Sequence, residues 1–211
     1  LLTNPLRRIV MKNRILLSLG LITLALTSPA FATASGAKLD SQLCSICHGR
    51  GGTTTNELFP QLAGQPTPYF IAQMKAFRDK SRSEENAKRF MWGISSRLSD
   101  QDIEELASFY QKQIPLSLGK ISDQPKYDLG KNIFTNGLLD KAVPPCMACH
   151  GEKGEGVGSA PRLGGQHEAY LKRQLKVFYG NERPAAVAMH EVVKGLSESD
   201  IEAIAQYLQA Q

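Results

Sequence analysis

The strongest constraint on this chain is that it writes one pattern twice. Cys44-Ser45-Ile46-Cys47-His48-Gly49 returns as Cys146-Met147-Ala148-Cys149-His150-Gly151, and Phe59-Pro60-Gln61-Leu62-Ala63-Gly64-Gln65 returns as Ala160-Pro161-Arg162-Leu163-Gly164-Gly165-Gln166. Tyr69, Gln73 and Phe77 return as Tyr170, Gln174 and Phe178. Leu98-Ser99-Asp100-Gln101-Asp102-Ile103 returns as Leu196-Ser197-Glu198-Ser199-Asp200-Ile201. The order holds throughout and the spacing nearly so, which predicts two homologous domains in tandem. Pro115, Gly119 and Pro125 punctuate a stretch without strong periodicity, so the boundary is expected near 118/119, with a linker short enough for the halves to touch.

All four cysteines lie in the two Cys-x-x-Cys-His motifs. Thiols three positions apart share one turn of helix, where they can bond the two vinyl groups of a haem while the adjacent imidazole meets the iron. Two disulfides, a redox dithiol and a zinc site are the alternatives. Neither a disulfide nor a dithiol explains a His after both pairs, and the spacing of a zinc ribbon or finger does not appear. Each half is therefore read as a covalent haem c site. Cys44, Cys47, Cys146 and Cys149 are the attachment points, and His48 and His150 the iron ligands.

The repeat also selects the opposite ligand. Met74 aligns with Leu175, His167 with Pro66 and His190 with Trp92, so none has a ligating counterpart. Met147 sits inside the attachment turn. Met91 and Met189 both stand seven residues before the Leu-Ser of the terminal helix and are the thioether pair in register. His190 stays as the alternative ligand in the second half, or as a solvated neighbour of the ligand.

The N-terminus has the layout of an export signal: Lys12 and Arg14, an apolar run from Ile15 to Leu26, then Ala30-Phe31-Ala32. Residues 1–32 are read as a leader, with 1–10 an upstream extension. The run is short for a bilayer core needing roughly 20 apolar residues. The formal net charge is +5, but Arg7, Arg8, Lys12 and Arg14 all precede the cut, leaving 21 basic against 20 acidic residues. This near-neutral remainder gives no reason to expect nucleic acid as a partner.

Periodicity within each half is helical. Thr67-Pro68 starts a helix running to Asp79; Ser99 with Asp102 and Ser197 with Asp200 cap two terminal helices. Ile103, Leu106, Ala107 and Tyr110 form one apolar stripe, and Ile201, Ile204, Ala205 and Leu208 the other. The fold class expected is mostly α. Trp92, the single Trp, is expected to pack at the domain junction.

In order, Cys-x-x-Cys-His, Pro-x-Leu-x-Gly, Met and a capped terminal helix resemble class I cytochrome c, and two such units after a leader resemble the cytochrome c4 family. The resemblance implies two tandem class I domains, 33–118 and 119–211, each wrapped around one covalent haem c. It also implies that Pro60 and Pro161 offer their carbonyls to His48 and His150. One departure concerns the family's opening helix, which Tyr127–Asn136 can supply in the second half. Little chain precedes Cys44, so in the first half this helix should be short or absent.

With His and Met on both irons no coordination position stays open, so the chain is expected to be a periplasmic one-electron carrier, not an enzyme. Its partners would be transient protein donors and acceptors among membrane respiratory complexes, such as a terminal oxidase or reductase. No small-molecule substrate is expected, and the chain should be a monomer. The alternative is a dihaem subunit of a dehydrogenase complex, such as flavocytochrome c sulfide dehydrogenase.

Overall fold

The computed structural model describes residues 35–119 and 121–211; the expected leader lies outside them. Thr33–Gln211 cluster as one unit, so the two halves pack against each other.

The first half opens with α1 (Gly36–Leu39), which continues through a π turn (Asp40–Cys44) into α2 (Ser45–His48). The opening helix is thus short but present. It lies against α5 (Asp100–Gln111) at Gly36, where a Cβ would stand 2.2 Å from the Glu105 carbonyl oxygen. Between them come α3 (Thr67–Arg78), a second π turn (Ala87–Met91) and α4 (Trp92–Ser95).

The second half repeats the plan with α6 (Gln124–Asn136), α7 (Met147–His150), α8 (Glu168–Val177), α9 (Val187–Lys194) and α10 (Glu198–Gln209). Here Gly130 makes the close approach, with a Cβ position 2.0 Å from the Ala203 carbonyl oxygen of α10. Glycine at these two crossings lets the backbones meet without side-chain bulk between them. Among the described residues the β structure is an isolated bridge, Leu138 with Val143.

The predicted terminal helices form with complete capping boxes, Ser99 with Asp102 and Ser197 with Asp200. Their apolar stripes are buried as the periodicity requires. Each stripe anchors its own core: Phe70, Met74, Phe77 and Leu98 around α5, and Ile133, Phe134, Leu171 and Phe178 around α10. These cores fix the ends of the loops that carry the paired motifs.

Candidate haem sites and the junction between them

His48 and His150 end α2 and α7, and both are buried. Nδ1 of His48 lies 2.9 Å from the Pro60 carbonyl oxygen, and Nδ1 of His150 3.0 Å from that of Pro161. A carbonyl can only accept, so Nδ1 carries the proton and the Nε2 lone pair is left for a metal. Nε2 has no hydrogen-bond partner among the described residues in either ring. Burial pushes both imidazoles to lower pKa, against the opposing pull of the proline carbonyls. Each ring is therefore held neutral and oriented, as a metal ligand must be.

The paired thiols follow one turn before each His. All four are free. Burial raises the Cys44 thiol and pushes Cys146 up to about 11, whereas a reactive redox dithiol needs a lowered value. No group of three or more His, Cys, Asp or Glu able to hold a metal occurs among the described residues. Gly49 and Gly151 follow the His residues with φ of 72° and 86°. A Cβ at Gly49 would stand 2.4 Å from the Thr53 carbonyl oxygen, so the turn out of the motif requires glycine.

Of the methionines, Met74 is buried in the first core on α3, as expected. Met91 closes the second π turn and Met189 lies in α9; both are half-buried against the core of their own half. π turns recur where a helix must re-aim a functional side chain, and here they end at Cys44 and Met91. His167 is 2 % exposed, with Nε2 3.0 Å from the Thr54 carbonyl oxygen of the other half. His190 is not the solvated neighbour expected: Nδ1 and Nε2 lie 2.6 and 3.0 Å from the carbonyl oxygens of Phe178 and Arg183. Neither nitrogen remains for a metal. A neutral His with a free Nε2, a thiol pair on one turn and a half-buried thioether recur in both halves, and this donor set suits haem c.

The halves meet across a face that each supplies in the same register. The Gln166 amide accepts from the Gln61 N–H at 2.9 Å and donates to its carbonyl at 3.0 Å. Gln65, its counterpart, does the same to Arg162 at 3.1 and 2.9 Å. Below them lie Arg82 and Arg183, each five residues after its Phe and 5 % and 7 % exposed. Gln73 Oε1 accepts from Arg82 and Arg183, both at 2.9 Å, and Gln174 Oε1 from the same two at 3.1 and 2.6 Å. Arg82 also reaches Tyr170 at 3.3 Å, and Arg183 reaches Tyr69 at 3.2 Å.

This symmetry breaks in one place. Glu84 pairs with Arg82 at 2.6 Å, while the second copy has Ala185 two positions after Arg183. Burial would lower the Arg82 pKa, but Tyr170, Tyr69 and Glu84 raise it overall. Burial would raise Tyr69, yet Arg183 and Arg82 hold it below its usual value. Trp92 packs against the core of the first half and donates its Nε1–H to the Arg82 carbonyl at 2.9 Å. The repeated Tyr and Gln of α3 and α8 were legible in the sequence; the arginines were not, although the same register, carried five residues further, reaches both.

One buried position differs in chemistry between the halves. Four residues after Gly130 comes Phe134; four after Gly36 comes Asp40, which is 2 % exposed. Asp40 accepts from the Tyr110 hydroxyl at 2.8 Å and from the Gly51 N–H at 3.0 Å. The carboxylate thus has the partners that burial demands.

Comparison with known proteins agrees with the paired geometry. Residues 127–211 match the family model for cytochrome c, and residues 31–109 that for "Cytochrome C oxidase, cbb3-type, subunit III". Cytochrome c4 of Pseudomonas aeruginosa is 34% identical over 204 residues, covering 93% of this chain and 98% of that protein. The thiosulfate dehydrogenase electron acceptor of Thiomonas intermedia is 33% identical over 195 residues, covering 89% and 87%. The solved cytochrome c4 of Acidithiobacillus ferrooxidans superposes with a TM-score of 0.74 at 34% identity, covering 80% of this chain and 98% of that one. Two helical halves, each with a haem c donor set and joined through a shared face, belong to one architecture: the chain is a member of the cytochrome c4 family, an electron-transfer protein with two cytochrome c domains that each bind a covalent haem c.

Proposed function

We propose that this chain is a periplasmic carrier that moves single electrons between respiratory donors and a terminal oxidase or reductase. Residues 33–118 and 119–211 form its two haem domains, and residues 1–32 are a leader removed on export. In this reading Cys44 and Cys47 attach one haem and Cys146 and Cys149 the other. His48 with Met91, and His150 with Met189, ligate the irons. The observation that carries the reading is the matched pair of His-to-proline carbonyl bonds, which leaves one oriented, unprotonated Nε2 in each half.

When bound, haem c supplies reversible one-electron chemistry at iron. The chain's own residues do the rest. Pro60 and Pro161 fix the imidazole planes, and the half-buried methionines place a thioether against each core. The arginine and glutamine junction holds the two halves at one separation, so transfer between them needs no domain motion. A pyridine haemochrome assay should count two covalent haems per chain, and one per chain would overturn the reading.

A second reading has a specific observation behind it. The Thiomonas relative is named an electron acceptor of thiosulfate dehydrogenase, which would make this chain the dedicated partner of one dehydrogenase, a role close to the subunit alternative drawn from the sequence. Affinity capture of the tagged holoprotein from its native periplasm separates the two. Stoichiometric recovery of one dehydrogenase favours the second reading, and recovery of the chain alone favours the carrier.

A further inference from the structure

The halves differ in the loops that carry Phe59 and Phe90 in the first copy. In the first half, aromatic rings touch in series outward from His48. The His48 imidazole lies 5.9 Å from the Phe59 ring at 65°, and Phe59 lies 5.2 Å from Phe90 at 70°. The Arg89 guanidinium sits over Phe90, 5.1 Å from its centroid. Aligned on the methionines, the second half has Ala186, Val187 and Ala188 in place of Lys88, Arg89 and Phe90, and Ala160 in place of Phe59. Val187 is 68 % exposed. One copy therefore presents a braced cation, and the other an apolar tip.

The surrounding charge points the same way. Lys80, Lys88, Arg89 and Arg97 are all exposed, and none forms an ion pair among the described residues. Lys80 lies over the Trp92 ring. Asp79 and Glu85 are the exposed carboxylates of this segment, because Glu84 is buried against Arg82. Lys75 and Arg78 just upstream share the one Asp100 carboxylate. From Asp79 to Arg97 four exposed cations outside any ion pair thus stand against two exposed carboxylates, Asp79 and Glu85, and a guanidinium resting on a ring keeps its charge in water while losing less freedom on contact.

We propose that Arg89, braced on Phe90, and the adjacent Lys88 form the docking site at the first haem for an acidic redox-partner protein. The proposal rests on the reading that His48 and Met91 serve the first haem. The ring series adds position to attraction: Arg89 is tied through Phe90 and Phe59 to the imidazole itself, so an anion bound there has a fixed place relative to the iron ligand. Such surface charges act mainly on encounter rate and salt dependence.

The test uses hexacyanochromate(III), a paramagnetic trianion that does not exchange electrons with haem under these conditions, added to the reduced holoprotein and read by NMR line broadening. At low salt the Phe90 ring and the first haem's methyl resonances should broaden at lower probe concentration than the second haem's, and added salt should reverse this. In the Lys88→Glu/Arg89→Glu variant the apparent affinity at the first haem should fall by about tenfold or more, as reversing two charges toward a trianion implies. Arg89→Gln should lie between. Equal broadening at both haems, or a double variant that behaves like the parent, overturns the proposal. Haem count and the Met–iron charge-transfer band are recorded on the same samples, so a failure of the ligand assignment shows there, separately from the anion map.

Discussion

The Gln166 side chain brackets the backbone of Gln61, accepting from its N–H at 2.9 Å and donating to its carbonyl at 3.0 Å. Two backbone groups of the first half are thus satisfied by one amide of the second. Gln166→Leu should orphan both and cost about 2–4 kcal/mol, from the usual penalty for each buried unpaired group. Denaturant unfolding followed at Trp92 and at the haem absorbance checks it. Gln65→Leu, which orphans the equivalent groups at Arg162, should cost about as much.

The ligand assignment has its own signature. Met91→Ala and Met189→Ala should each remove about half of the Met–iron charge-transfer band of the oxidised protein and lower the potential of one haem, since Met ligation raises it. Met74→Leu, a volume-conserving change in the core, should leave band and potentials alone and cost under about 1.5 kcal/mol. Visible spectra with a redox titration distinguish the three variants.

Acid should weaken the terminal helix of the second half through its cap. Burial would raise the Asp200 carboxyl, but Ser197 and Lys141 together hold it below the usual carboxylate range. Its contribution is therefore complete above the unfolded value of about 3.9 and is lost as pH falls through the lower folded value. Asp200→Asn should flatten that part of the stability profile and cost about 1 kcal/mol at neutral pH. Thermal melts between neutral pH and the acid limb supply the comparison.

Gly130→Ala should destabilise by about 3 kcal/mol or more, because its Cβ would sit 2.0 Å from the backbone oxygen of Ala203. Gly93→Ala is the control. It lies in α4 with nothing within 4 Å of the added carbon, so it should be neutral or gain up to about 1 kcal/mol from helix propensity. Yield of haem-loaded protein and its melting temperature would show the contrast.

Much of this architecture was legible because the repeat supplied an internal alignment. The motif cysteines, the prolines, the capping boxes and the apolar stripes of α5 and α10 are local patterns, and local patterns survive in a linear reading. Gly36 was not legible, because its role depends on α5, distant in sequence, crossing at that point. Asp40 carries no sequence signal of burial, because its partners Tyr110 and Gly51 come from other elements. The bonds of Arg82 and Arg183 span the halves, so register could place the two residues in line but could not show that the lines meet. His190 was misjudged for the same reason: its partners are carbonyls, and carbonyls leave no trace in a sequence.

The matched clamps have a consequence for descent as well as for structure. A face that closes on a copy of itself is the isologous contact of a C2 homodimer. Carrying both copies on one chain turns a concentration-dependent association into an intramolecular one. Off that face the copies are free to differ, as Arg89 on its aromatic stack and Val187 among alanines do.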